Sequence, residues 1–193
     1  MKTGFRLFGR GIPVFTSMAI AGLLLAVLAS GCGQQTGEAN RLVEEVNTIS
    51  LEVEPKFAEV EELLQNALVQ LSAGQYEEQR ASLARAQELL DEIIPEINRA
   101  KAKTDEAAAL NISESYRQYL TAKSRGLDAS LALTETSREF TAVFLADPAA
   151  ENPETLTRIA ELQGQIQALI IQLNEAEIEA RRIAEENAGE IEP

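Results

Sequence analysis

A strict seven-residue apolar repeat runs through the last fifth of the chain and limits what it can become. Ile159, Leu162, Ile166, Leu169, Leu173, Ala176, Ala180 and Ile183 are spaced 3, 4, 3, 4, 3, 4, 3. That spacing places every member on one stripe of an α-helix and is the a/d seam of a packed helix bundle. A strand would need alternation by two, and no segment sustains it.

Three more segments carry the helical period. From about Glu38 to Ser72 the stripe is Leu42, Val46, Ile49, Val53, Phe57, Val60, Leu64, Ala67 and Leu71, with a stutter beside Pro55. Ala73-Gly74 ends it. From about 75 to 110 the stripe is Leu83, Ala86, Leu90, Ile93, Ile97 and Ala100, with Pro95 inside. The A-G-Q-Y fragment at its start resembles part of a tetratricopeptide unit, but no 34-residue recurrence follows. From about 112 to 145 the apolar face is Leu120, Leu127, Leu131, Phe140 and Phe144, interrupted by Lys123 and Thr134. Asn111 with Glu114 predicts a capping box at its start. Asp147–Asn152, followed by Pro153, predicts a turn and the start of the last helix. The expected fold class is all-α: an elongated antiparallel bundle of four helices, up-down-up-down, over 38–188, with 189–193 as a disordered tail. The alternative joins the second and third segments into one rod. Pro55, Pro95 and Gly126 fall at nearly one height and predict a bend or waist near mid-bundle.

The N-terminus has a different composition. Lys2, Arg6 and Arg10 precede an apolar run from Ile12 to Leu28, and small residues follow at 29–31. This is the layout of an export signal. The L-A-S-G-C-G sequence at 28–33 resembles a bacterial lipobox, with Ala29 where that family prefers Leu. The resemblance implies cleavage after Gly31, a 1–31 signal peptide, and acyl chains such as palmitate on Cys32, the only cysteine. Residues 33–37 then form a short tether. Two or more acyl chains anchor stably where one does not. With Gly33 rather than Asp after the cysteine, the resemblance points to the outer membrane of a two-membrane cell, otherwise to the outer face of the cell membrane. Two other fates remain open: release by an ordinary signal peptidase, or an uncut membrane-spanning helix, since 11–37 carries no charge.

Composition narrows the chemistry. There is no histidine, which removes Ser-His-Asp and Cys-His catalysis and His-based metal sites. Lys+Arg are 17 against 31 Asp+Glu, which argues against nucleic acid as a partner. Without the leader 14 positive and 31 negative residues remain. The acidic pairs Glu44-Glu45, Glu61-Glu62, Glu77-Glu78 and Glu185-Glu186 lie off the apolar stripes and read as solvated faces. No metal or cofactor site is expected.

One region departs from this background. Between Ile97 and Leu127, Arg99, Lys101, Lys103, Arg117, Lys123 and Arg125 outnumber Asp105, Glu106 and Glu114, and Tyr116 and Tyr119 lie among them. These cations and tyrosines are the candidate contact for an envelope protein or glycan. The competing expectation pairs the cations with acidic neighbours. The expected function is a lipid-anchored, non-enzymatic envelope protein that binds or spaces, similar in length and layout to small helical cell-wall-binding lipoproteins. A carrier with a mid-bundle pocket is the second reading, and an enzyme using carboxylates with Tyr116 or Lys123 the third.

Overall fold

The structure, a computed structural model, describes residues 35–188 and Ile191. It is a four-helix, up-down-up-down bundle: α1 Thr36–Ala73, α2 Tyr76–Ala108, α3 Glu114–Ala146 and α4 Pro153–Glu186. At 1.5 Å per residue these helices are about 50–57 Å long. Cys32 and the leader lie outside the described residues.

Local chemistry sets each boundary. Gly74 takes φ 72°, in the left-handed region that suits glycine. Its N–H donates to the Leu71 carbonyl at 3.1 Å, and the Gln75 N–H donates to Gln70 at 2.9 Å. Together they close α1 in a Schellman motif. α1 runs unbroken through Pro55 and α2 through Pro95. The second and third segments are separate helices, because α2 stops at Ala108 and α3 starts at Glu114. The cap of α3 differs from the Asn111 expectation. Ser113 is the N-cap, its hydroxyl accepting from the Tyr116 N–H at 3.1 Å. Asn111 instead lies in the turn, where its N–H donates to the Gln35 side chain. Asn152 caps α4 as expected, accepting from the Glu154 N–H at 2.9 Å, with Pro153 in the first turn. Asp147 holds the preceding loop by accepting from the Asn152 N–H at 3.1 Å.

Close backbone packing joins α1 to α2, α2 to α3 and α3 to α4. The interior they enclose is split in two. The larger cluster takes Val46 to Ala67 of α1, Leu83 to Ala100 of α2, Leu133, Phe140 and Phe144 of α3, and Ile159, Leu162 and Ile166 of α4. The smaller one lies at the end where α1 begins and joins Ala39, Leu42 and Val43 to Tyr116, Tyr119, Leu120, Ala180 and Ile183. Ile191 also packs there, 1% exposed, its N–H donating to Asn187 at 3.1 Å. The other residues of the expected tail, 189, 190, 192 and 193, lie outside the described residues.

The seam of α4 is buried at seven of its eight positions, and Leu169 is the exception, only partly buried. α3 departs furthest from its expected face. Leu127 and Leu131 are only partly buried, whereas Ser130, Thr134, Ser137 and Thr141 are buried in a stripe spaced 4, 3, 4. Thr134 donates to the Ser130 carbonyl at 2.8 Å and Thr141 to the Arg138 carbonyl at 2.7 Å. Such back-bonding satisfies the two threonine hydroxyls within their own helix, so they enter the core at low cost.

Candidate functional site

The turn between α2 and α3 brings the cation-rich segment to the end of the bundle where α1 begins. Most of its charges are taken up by neighbouring helices. Lys103 meets Glu45 of α1 at 2.6 Å. Arg99 reaches Glu52 of α1 at 3.4 Å and Glu96 at 3.0 Å. Lys101 meets Asp128 of α3 at 3.0 Å, and that contact is the main reason its ammonium titrates above the usual lysine value. The hydrogen bond from Lys103 likewise holds the Glu45 carboxyl low. Among the described residues Arg117, Lys123 and Arg125 form no ion pair. Arg117 donates to the Ala108 carbonyl at 3.4 Å, an unsatisfied group at the end of α2.

Both tyrosines are core residues. Tyr116 is 1% exposed and donates to the Asn40 side chain of α1 at 2.7 Å. Tyr119 is 2% exposed, its ring centroid 6.0 Å from that of Tyr116, and burial pushes its hydroxyl up to about 12. Of the eight candidate contact residues, then, Arg117 and Arg125 keep an exposed cation without an ion pair, while Tyr116 and Tyr119 hold helices together.

Lys123 lies between the two apolar clusters. Burial depresses its ammonium, partly offset by Glu177 of α4. Burial raises the Glu177 carboxyl, and Lys123 and Arg181 pull it back. Thr104, Ala129, Leu173 and Ala176 are buried yet belong to neither cluster. Apart from Leu173, mid-bundle is therefore a layer of small and polar side chains. Gly126 belongs to it: a Cβ there would stand 3.7 Å from Ala176 and 3.8 Å from Leu173, ordinary contact distances. Sequence reading found Lys123 as an interruption of the α3 face but had no signal for Glu177, which is one of many glutamates.

Along this layer the α3–α4 surface forms an open groove of about 570 Å³. Ala129, Ala132 and Ala176 give it depth, and Arg125, Asp128 and Glu179 stand at its rim. This groove is not the waist expected beside Pro55, Pro95 and Gly126, none of which lines it. Val53, Phe57, Ile93 and Ile97 beside the two prolines belong to the larger cluster. The acidic pairs are mostly exposed, with Glu45 and Glu61 half-buried. Among the described residues no group of three or more Asp, Glu, His or Cys side chains is placed to hold a metal. No described helix is long and apolar enough to cross a membrane. No known family matches the chain, and neither a curated protein nor a solved structure is significantly similar to it.

Proposed function

We propose that this is a lipid-anchored, non-enzymatic cell-envelope protein that acts by binding or spacing, held in the membrane through acyl chains on Cys32. The observation that carries this reading is where the bundle begins. Helix α1 starts at Thr36, four residues after Cys32. Four residues span at most about 14 Å. An anchor at Cys32 therefore keeps the end holding the 109–113 turn near the membrane. The far turns, at Gly74 and 147–152, are carried about 50 Å away when the rod stands upright. A partner is expected at the free end or along the flanks, and an envelope protein or a glycan suits either. The carrier reading draws on the α3–α4 groove. It weighs less, because that groove lies open along the surface while ligand sites usually enclose most of the ligand.

Membrane fractionation tests the anchor. Cys32→Ser is expected to leave the membrane fraction or to accumulate as an unprocessed precursor. Intact-mass analysis of the wild-type chain is expected to show an acylated N-terminal cysteine. An unlipidated mature N-terminus in the wild type sinks the proposal.

A further inference from the structure

The lysines of the described residues are Lys56, Lys101, Lys103 and Lys123. Lys56 meets Glu92 at 2.8 Å, Lys101 meets Asp128 at 3.0 Å and Lys103 meets Glu45 at 2.6 Å. Lys123 has neither an ion pair nor a hydrogen bond, in a chain where 31 acidic residues face 17 basic ones. Its place on α3 accounts for this. Tyr119, Leu120, Gly126 and Leu127 stand one turn away on the same helix face, none is charged, and the first three are buried. Lys123 itself is half-buried, neither sealed in the core nor free in solvent. The acid that acts on its charge is Glu177 of α4, also half-buried and not in ion-pair contact. We propose that Lys123 is a covalent capture site for a small uncharged aldehyde, which its ε-amine binds as an imine with the Glu177 carboxyl as proton relay.

Only an unprotonated amine attacks a carbonyl carbon. An ion pair holds the proton on an ammonium, as Asp128 does for Lys101. Lys123 lacks that hold, and its burial works the other way, offset only in part by Glu177. The reaction then balances within the site. The nitrogen lone pair adds to the carbonyl carbon and a proton passes from nitrogen to oxygen, giving a carbinolamine. Burial keeps the Glu177 carboxyl protonated to higher pH than usual. It gives that proton to the carbinolamine hydroxyl, which leaves as water while the nitrogen lone pair closes the C=N bond. The remaining N–H proton returns to the Glu177 carboxylate. Amine and aldehyde become imine and water, with no oxidant or reductant. An imine is a weaker base than the amine it replaces, so capture also relieves the burial of a charge. The surroundings set the class of aldehyde. The neighbours of Lys123 on α3 favour a hydrocarbon body, and a chain of net charge -14 repels an anionic one.

Competitive labelling of the folded, detergent-extracted full chain tests this. Hexanal is added at neutral pH with cyanoborohydride, which reduces any imine to a stable amine, and peptide mass mapping reads each lysine. Lys123 should gain the adduct several-fold faster than Lys56, Lys101 and Lys103. In urea the four lysines should label alike, because the preference belongs to the fold. Glyoxylate, an aldehyde that carries a carboxylate, should show no preference for Lys123. The role of Glu177 is read by Glu177→Gln, which removes the proton donor and also the charge that favours the Lys123 ammonium. In that variant acetic anhydride, which reports free amine alone, should label Lys123 at least as fast as in the wild type, while hexanal capture slows several-fold. A merely structural role for Glu177 would move both rates together. The proposal is overturned if Lys123 gains hexanal no faster than the ion-paired lysines, or if its preference survives in urea. Equal preference for glyoxylate overturns the uncharged class, and unslowed hexanal capture in Glu177→Gln overturns the proton relay.

Discussion

One buried and one half-buried polar side chain show how single residues set this protein's stability. Gln79 is 1% exposed, and its Oε1 has no hydrogen-bond partner. It faces a gap lined by Leu64, Ala67, Leu83, Phe140 and Phe144 that is too narrow for a water molecule. An unsatisfied buried acceptor costs about 1–3 kcal/mol. Gln79→Leu, similar in size, should therefore stabilise by about 1 kcal/mol or more, a rise of about 2–4 °C in a chain of this size. An unchanged or lower melting temperature would count against it. Glu177 is the second case. Its folded carboxyl titrates above the ordinary 4.5 because burial disfavours the charged form. The folded state thus binds more protons than the unfolded one in the window above 4.5. Its contribution to stability is full below 4.5 and is lost as pH rises through the folded value. Glu61 acts in the same direction, whereas the lowered carboxyls of Glu45, Glu92 and Asp147 act in the opposite direction and at lower pH. Glu177→Gln should flatten the fall in melting temperature as pH rises from 4.5 through the folded carboxyl's raised value. Melts by circular dichroism check this, and a pH slope as steep as wild type would refute it.

Among the elements, α4 shows how far a periodic pattern reaches. Its seam predicts eight inward positions, and the structure buries all but Leu169, which lies over the groove beside the small residues of mid-bundle. A large-to-small change should follow burial and not membership of the pattern. Leu162 is 0% exposed and sits in the larger cluster, so Leu162→Ala should cost about 2–5 kcal/mol. Leu169→Ala should cost about 1 kcal/mol, since its partly exposed carbons lose less transfer energy. Denaturant unfolding of the two variants decides between them, and equal losses would show that the groove closes in solution. Pattern reading failed more on α3. Hydroxyl side chains at 130, 134, 137 and 141 count as polar in any periodicity, yet the core accepts all four, and Thr134 and Thr141 bond carbonyls of their own helix.

At the scale of the molecule, the excess of acid shapes behaviour in solution. Ion pairs link each sequential helix neighbour, but they are exposed and each is worth about 0–1 kcal/mol. Self-repulsion across a chain of net charge -14 acts over the whole surface. Raising sodium chloride from about 0.05 to about 0.5 M shortens the screening length several-fold. It should therefore raise the melting temperature, because more repulsion than pairing is screened. A steady fall with salt would mean that the ion pairs dominate.

The amino-acid pattern was sufficient to determine helical class, segment order and most boundaries, while the break that makes the second and third segments two helices and not one rod was decided in the structure. Apolar period, glycine and proline stops and capping residues all act within a few residues of chain, and the four segments agree on them. The lipobox-like N-terminus is equally local, since it is read as a short linear motif. The fate of side chains that can serve two roles was decided only in the tertiary structure. Tyr116 and Tyr119 could have faced a partner and instead fill the core, because Ala39, Ala180 and Ala184 leave room for rings at that end. Lys101 and Lys103 could have formed a basic patch and instead meet acids on α3 and α1. Glu177 became distinctive only when α4 packed on α3 and set it opposite Lys123. Burial and pairing of this kind depend on which helix lies across the interface, and those neighbours are tens of residues away in the chain.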